Sequence, residues 1–241
     1  MNFRTALRTT LSAVKANLLP GLLLQALMLV FFAAYVSHEG TRQFLAQVAD
    51  FKEQAGYAFA FVSYILSAAL LPEVLKIGFF QECRIKRENI YNFLTGAPVW
   101  GCMGIIVDAF YRGQGLLFGT GNDWLTIALK LCVDQFVFSP FFSVPFVVGY
   151  FRWRDARFSR PAFRAVFTRE FLTEYFLPAQ VAGWCIWIPG VCLIYFMPSA
   201  LQLPMAALIQ AFWVLVLTFV NQRRVDKPRT SRASVRGLEH G

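Results

Sequence analysis

Six polar residues lie within or at the ends of otherwise apolar stretches, and their types and spacing are the ones that could do chemistry: Glu73, Lys76, Asp108, Lys130, Asp134 and Gln135. Positions three or four apart share one face of a helix. Glu73 can therefore meet Lys76, and Lys130 can meet Asp134, as ion pairs formed within a single segment. At the centre of a bilayer an ionised side chain costs about 3 kcal/mol or more, so such residues must face other helices or a water-filled cavity. Asp134 falls near the middle of its segment, where a carboxylate can attract cations or exchange a proton. Asp108 and Lys130 fall toward one common end and are expected to line one vestibule. Asp108 with Asp134 is the carboxylate pair on which shared-proton catalysis would have to rest. No nucleophile with a base accompanies them, and an enzyme is not expected.

The elements that must position these residues follow from composition. Of 241 residues, 57% are apolar, 17% aromatic and 15% charged, against about a quarter charged in an ordinary soluble domain. The apolar stretches are 18–36, 57–80, 93–111, 124–151, 175–197 and 204–220. Each is about as long as a helix needs to cross a hydrocarbon core, the last only marginally. The fold class is therefore all-α: a polytopic transmembrane bundle of about six helices with short interfacial helices. Residues 1–220 make one domain, since no polar linker separates two cores. Residues 221–241 form a basic tail, expected to be disordered.

Several local features refine this reading. Residues 1–17 carry Arg4, Arg8 and Lys15 and no acid, which suits a cytoplasmic flank and also resembles a transit peptide. Phe44, Val48, Phe51 and Ala55 recur at helical spacing among charged residues, as in a helix lying along an interface. Ser63 and Ser67 are a small pair four apart, compatible with close helix contact. The glycines between Arg112 and Asp123 mark a flexible turn, with no P-loop pattern. Pro178 and Pro189 predict a kinked or broken fifth segment, and Pro198 to Pro204 a short link.

The basic connector holds Arg152, Arg154, Arg157, Arg160 and Arg164, followed by Arg169. Pro161 could start an amphipathic helix there, with Phe163, Val166, Phe167 and Phe171 on one side. This connector is the expected binding site for anionic lipid headgroups. Because it joins two membrane segments, nucleic acid is not an expected partner. Four of the five cysteines lie in apolar stretches and read as small core residues, without C-x-x-C. His38 and His240 stand far apart, and neither a metal site nor a cofactor is expected.

Charge fixes the expected topology. With six crossings, the N-terminus, the second and fourth loops and the tail carry 18 Lys and Arg, the other three loops carry 3, and Lys76 and Lys130 complete the 23. Positive charge accumulates on the cytoplasmic or matrix side, so both termini are expected there.

From segment three onward the chain resembles the Mpv-seventeen and peroxisomal-membrane-protein-twenty-two family. The family's K-x-x-x-D-Q, with proline six residues after the aspartate, is matched by Lys130, Asp134, Gln135 and Pro140. Its G-P-x-x-H-x-W-Y stretch is similar to Gly104, Asp108, Phe110 and Tyr111, with Pro, His and Trp replaced. Its closing stretches resemble Trp187, Pro189, Tyr195, Pro198, Phe212, Trp213, Leu217 and Thr218, with Val191 and Ile194 where the family has Gln and Asn. The resemblance spans roughly 104–220. It implies a helical protein of a bacterial or mitochondrial inner membrane or a peroxisomal membrane, proposed to be a channel or pore.

Two functions are therefore expected. One is a channel or carrier for a small ion or metabolite, lined by the polar residues above. The other is a non-transporting scaffold or stress-response protein in the lipid bilayer, with Lys130 and Asp134 as a structural pair. A homo-oligomer is compatible with either.

Overall fold

The computed structural model describes residues 3–121 and 123–211, and among them every regular element is helical. The last part of segment six, 212–220, and the basic tail lie outside the described residues. The helices are α1 (Phe3–Ser37), α2 (Glu39–Ala55), α3 (Tyr57–Phe80), α4 (Arg87–Phe118), α5 (Trp124–Asp155), α6 (Arg160–Ala165), α7 (Arg169–Phe196) and α8 (Ser199–Ala211). Four of them, α3, α4, α5 and α7, are long and apolar enough to cross a membrane. A fifth candidate is the pair Gly21–Ser37 and Glu39–Ala55, bent by 100° at His38. Large apolar side chains stand exposed along these helices, among them Val30, Phe79, Leu94 and Phe141. Water disfavours such continuous apolar surface, and lipid accepts it.

Close packing begins at small residues. A Cβ on Gly104 would overlap the Ala60 carbonyl oxygen and one on Gly101 would overlap the Phe61 ring, so α3 and α4 touch backbone to backbone there. Ser67 is buried on α3, and its hydroxyl donates to the Tyr64 carbonyl. α1 lies against α7, where Gln25 Nε2 donates to the Ile186 carbonyl at 2.8 Å. α8 is buried on nearly all sides through Leu201, Leu203, Met205, Ala206 and Ile209, as befits a helix that is apolar all round.

Three stretches open from α to π geometry: Ile65–Leu70, Asp134–Ser143 and Leu172–Phe176. Each contains a proline or ends two residues before one: Pro72, then Pro140 with Pro145, and Pro178. Proline lacks an N–H, and its ring collides with the carbonyl four residues back. A wider i→i+5 turn relieves the collision, and the missing donor has to be replaced from elsewhere. Of the kink or break expected in segment five, the break does not occur: α7 is continuous, with a π turn before Pro178 and Pro189 inside it.

Four other expectations need correction. The glycine-rich turn is shorter than 112–123, because α4 continues to Phe118; Gly119, just after it, has φ 86°. The link from Pro198 is helical from Ser199. The basic connector makes a helix of only six residues, since α5 runs on to Asp155. Finally, of the four cysteines read as core, Cys102, Cys132 and Cys185 are exposed on the outer faces of their helices and Cys192 is half-buried. The α2 face with Phe44 and Phe51 is exposed, at 61% and 62%, while Leu45 and Lys52 turn inward.

Candidate functional site

Asp134 begins the π stretch of α5, and its carboxylate is 6% exposed. The Tyr195 hydroxyl of α7 donates to Oδ2 at 2.8 Å, and Gln135 Nε2 donates to Oδ1 at 2.8 Å. Gln114 Nε2 of α4 donates in turn to the Tyr195 hydroxyl at 2.6 Å. Three helices are thereby joined through one carboxylate. Tyr111 packs edge-on against Tyr195, with centroids 5.6 Å apart.

The π geometry also prepares the backbone. In the i→i+5 register the Gln135 carbonyl would pair with the nitrogen of Pro140, which carries no hydrogen. The Trp184 indole of α7 donates to that carbonyl at 2.8 Å instead. One turn further on, Gln180 Nε2 donates to Ser139 Oγ at 3.0 Å. The sequence thus places a helix-widening proline opposite the side chains that satisfy the freed groups.

Asp134 and Gln135 stand at one end of a partly open cavity of about 670 Å³ between α3, α4, α5, α7 and α8. Tyr64 and Tyr111 close that end, and Glu73, Lys76 and Arg154 line the other. Asp134, Ser139 and Ser143 all face it. In a plain α-helix the nine residues from Asp134 to Ser143 are about two and a half turns, which would put the two on opposite sides. The wider π turns bring them onto one face.

The expected ion pair between Lys130 and Asp134 does not form. Lys130 is 2% exposed, and its ammonium lies over the Tyr195 ring, 5.8 Å from the centroid. Spacing made the pair available, but Tyr195 and Gln135 claim both carboxylate oxygens, and the aromatic face takes the cation. Nor do Asp108 and Lys130 line a vestibule. Asp108 is 1% exposed and paired with Arg112 Nε at 2.8 Å and Lys52 Nζ at 3.4 Å, so α2 neutralises that end of the bundle. The cavity extends toward the opposite end.

There Glu73 and Lys76 pair at 2.7 Å, and Asn89 Nδ2 donates to the second Glu73 oxygen at 2.7 Å. Among the connector arginines, Arg152 stacks on Tyr175 at 3.5 Å and Arg154 pairs with Asp155 at 2.8 Å. Arg157 lies over Tyr91 at 4.3 Å and pairs with Glu88 at 3.2 Å. Arg160 and Arg164 are exposed beside a small hollow formed with Trp153, Phe158 and Phe163. The intended amphipathic face is split, because Phe171 is buried while Phe163 and Phe167 are exposed.

Sequence reasoning passed over Gln114, Lys52, Trp184 and Gln180. Gln114 lies among the glycines after Arg112, yet it follows Val107 and Tyr111 at helical spacing on the buried face of α4. That periodicity was the available signal. Among the described residues no group of three His, Cys, Asp or Glu could hold a metal. Comparison with family models, curated proteins and solved structures finds no match. What this arrangement offers chemically is a buried carboxylate at the end of a long, aromatic-lined cavity.

Proposed function

We propose that this chain is an integral membrane protein that conducts or carries a small ion or metabolite through the bundle, with Asp134 at the constriction. The observation that carries the reading is the cavity. It runs from Glu73, Lys76 and Arg154 at one end of the helices to Asp134, Gln135 and Tyr111 deep inside. Buried ionisable groups that border a cavity within membrane helices mark solute pathways. The hydrogen-bonded block of Asp134, Tyr195 and Gln114 then acts as the closed side, and the conducting state requires it to part. Six crossings with both termini on the cytoplasmic or matrix side, and kinship with the Mpv-seventeen family of bacterial inner or organellar membranes, belong to this proposal.

The test is flux in sealed vesicles. Protein reconstituted into liposomes should release or exchange entrapped small solutes, and Asp134→Asn should change the rate several-fold. Unchanged flux in the variant would remove Asp134 from the pathway.

A scaffold is the second reading, favoured by Arg160 and Arg164, which are exposed at the connector and without an ion-pair partner among the described residues. They suit anionic headgroups or an acidic partner. Absence of flux, together with vesicle binding that depends on these two arginines, would favour it.

A further inference from the structure

We propose that the cavity binds an organic ammonium ion with a compact hydrophobic body, using Asp134 as its counter-charge. This deepens the conduit reading and rests on it for the cavity being the working site.

Charge balance is the first argument. Two carboxylates line the cavity, and Glu73 already has Lys76 at 2.7 Å. Asp134 has only neutral donors, Tyr195 and Gln135, and no cation within ion-pair distance among the described residues. A buried carboxylate without a counter-ion is costly, and a ligand cation relieves that cost. Lys130 does not serve, since it stands over the Tyr195 ring and does not line the cavity. The cations at the other end are committed, Lys76 to Glu73 and Arg154 to Asp155, so an anion has no free partner inside.

The second argument is an acceptor with nothing to accept. Gln135 is 2% exposed and lines the cavity, and its Oε1 is buried without a hydrogen-bond partner. Its amide nitrogen is already given to Asp134. Each oxygen of Asp134 takes one hydrogen bond and retains a second lone pair. An ammonium group supplies N–H donors for the carboxylate and for Gln135 Oε1 together.

The walls give the third. Tyr64, Trp100, Tyr111, Phe138, Phe151 and Trp187 line the cavity. Aromatic faces attract ammonium ions and shelter hydrophobic bodies. A bare Na⁺ or Ca²⁺ would find one carboxylate and too few oxygens for its shell, so the walls select an organic cation.

Phenethylammonium is a suitable probe, with 3-phenylpropionate and 2-phenylethanol as its anionic and neutral counterparts. Equilibrium dialysis against the full-length protein in nonionic micelles should show saturable binding of the ammonium at least about tenfold tighter than of either counterpart. Asp134→Asn, which keeps an acceptor for Tyr195, should abolish that preference, and Glu82→Gln, at an exposed carboxylate outside the cavity, should retain it. Equal binding of the three probes by the wild type, or a cation preference that survives Asp134→Asn, would overturn the proposal. The wild-type comparison decides alone if the variant does not fold. Binding in micelles needs no transport, so bound cation without vesicle flux refutes only the conduit. Flux without cation preference refutes only this site.

Discussion

The Tyr195 hydroxyl is at once donor to Asp134 and acceptor from Gln114. Tyr195→Phe removes both hydrogen bonds while keeping the ring under Lys130. Hydrogen bonds between membrane helices average about 0.6 kcal/mol, but a stranded buried group costs about 1–3 kcal/mol. The expected loss is about 1 kcal/mol, read as a lower midpoint in detergent denaturation. An unchanged midpoint would mean that water replaces the hydroxyl and that the network is wetter than its burial implies. At this scale the sequence is legible only where both partners lie on one helix. Glu73 with Lys76 could be read from spacing. Asp134 was equally well spaced from Lys130, yet its partners came from α7 and from its own neighbour.

At the scale of elements, two glycines of α4 make opposite predictions. Gly104→Ala drives a methyl into the Ala60 carbonyl of α3, and backbone cannot yield as a flexible side chain can. Overpacking of this kind costs about 1–3 kcal/mol, seen as reduced thermal stability and yield. Gly113 has nothing near its missing Cβ, so Gly113→Ala should stabilise the helix by about 0.5–1 kcal/mol. The π stretch of α5 carries a prediction too. Pro140→Ala removes the ring and restores an N–H that can donate to the Phe136 carbonyl in the i→i+4 register, so the helix should tighten toward α. Ser143→Cys should then lose its reactivity toward a water-soluble thiol reagent admitted to the cavity. Retained reactivity would separate the proline from the π geometry. Prolines announced irregularity in the sequence, but a break and a widened turn look alike there.

For the whole molecule, the decisive quantity is which ends of the helices face the same compartment. α4 is 32 residues, about 48 Å, and its two ends should lie on opposite sides of the membrane. Cys83 is exposed in the turn before it, and Thr120 in the turn after it. In sealed vesicles, an impermeant maleimide should label Cys83 from one side only and an introduced Thr120→Cys from the other only. Labelling of both from one side would abolish α4 as a crossing, along with the topology drawn from positive charge.

The amino-acid sequence alone determined that this is a helical chain with apolar outer faces, because hydropathy and periodicity are properties of each segment by itself. It also located α3 by both ends and the start of α5. Helix ends at α4, α7 and α8 moved; at α4, Gln114 is accepted into the helix because Tyr195 of α7 takes its hydrogen bond. Tertiary structure alone decided what Asp134 faces. A carboxylate on an apolar helix must find donors, but which donors depends on side chains brought from α4 and α7 by packing. Those helices gave it Tyr195 with Gln114 behind, left Lys130 on an aromatic ring, and opened the cavity on the side away from Asp108.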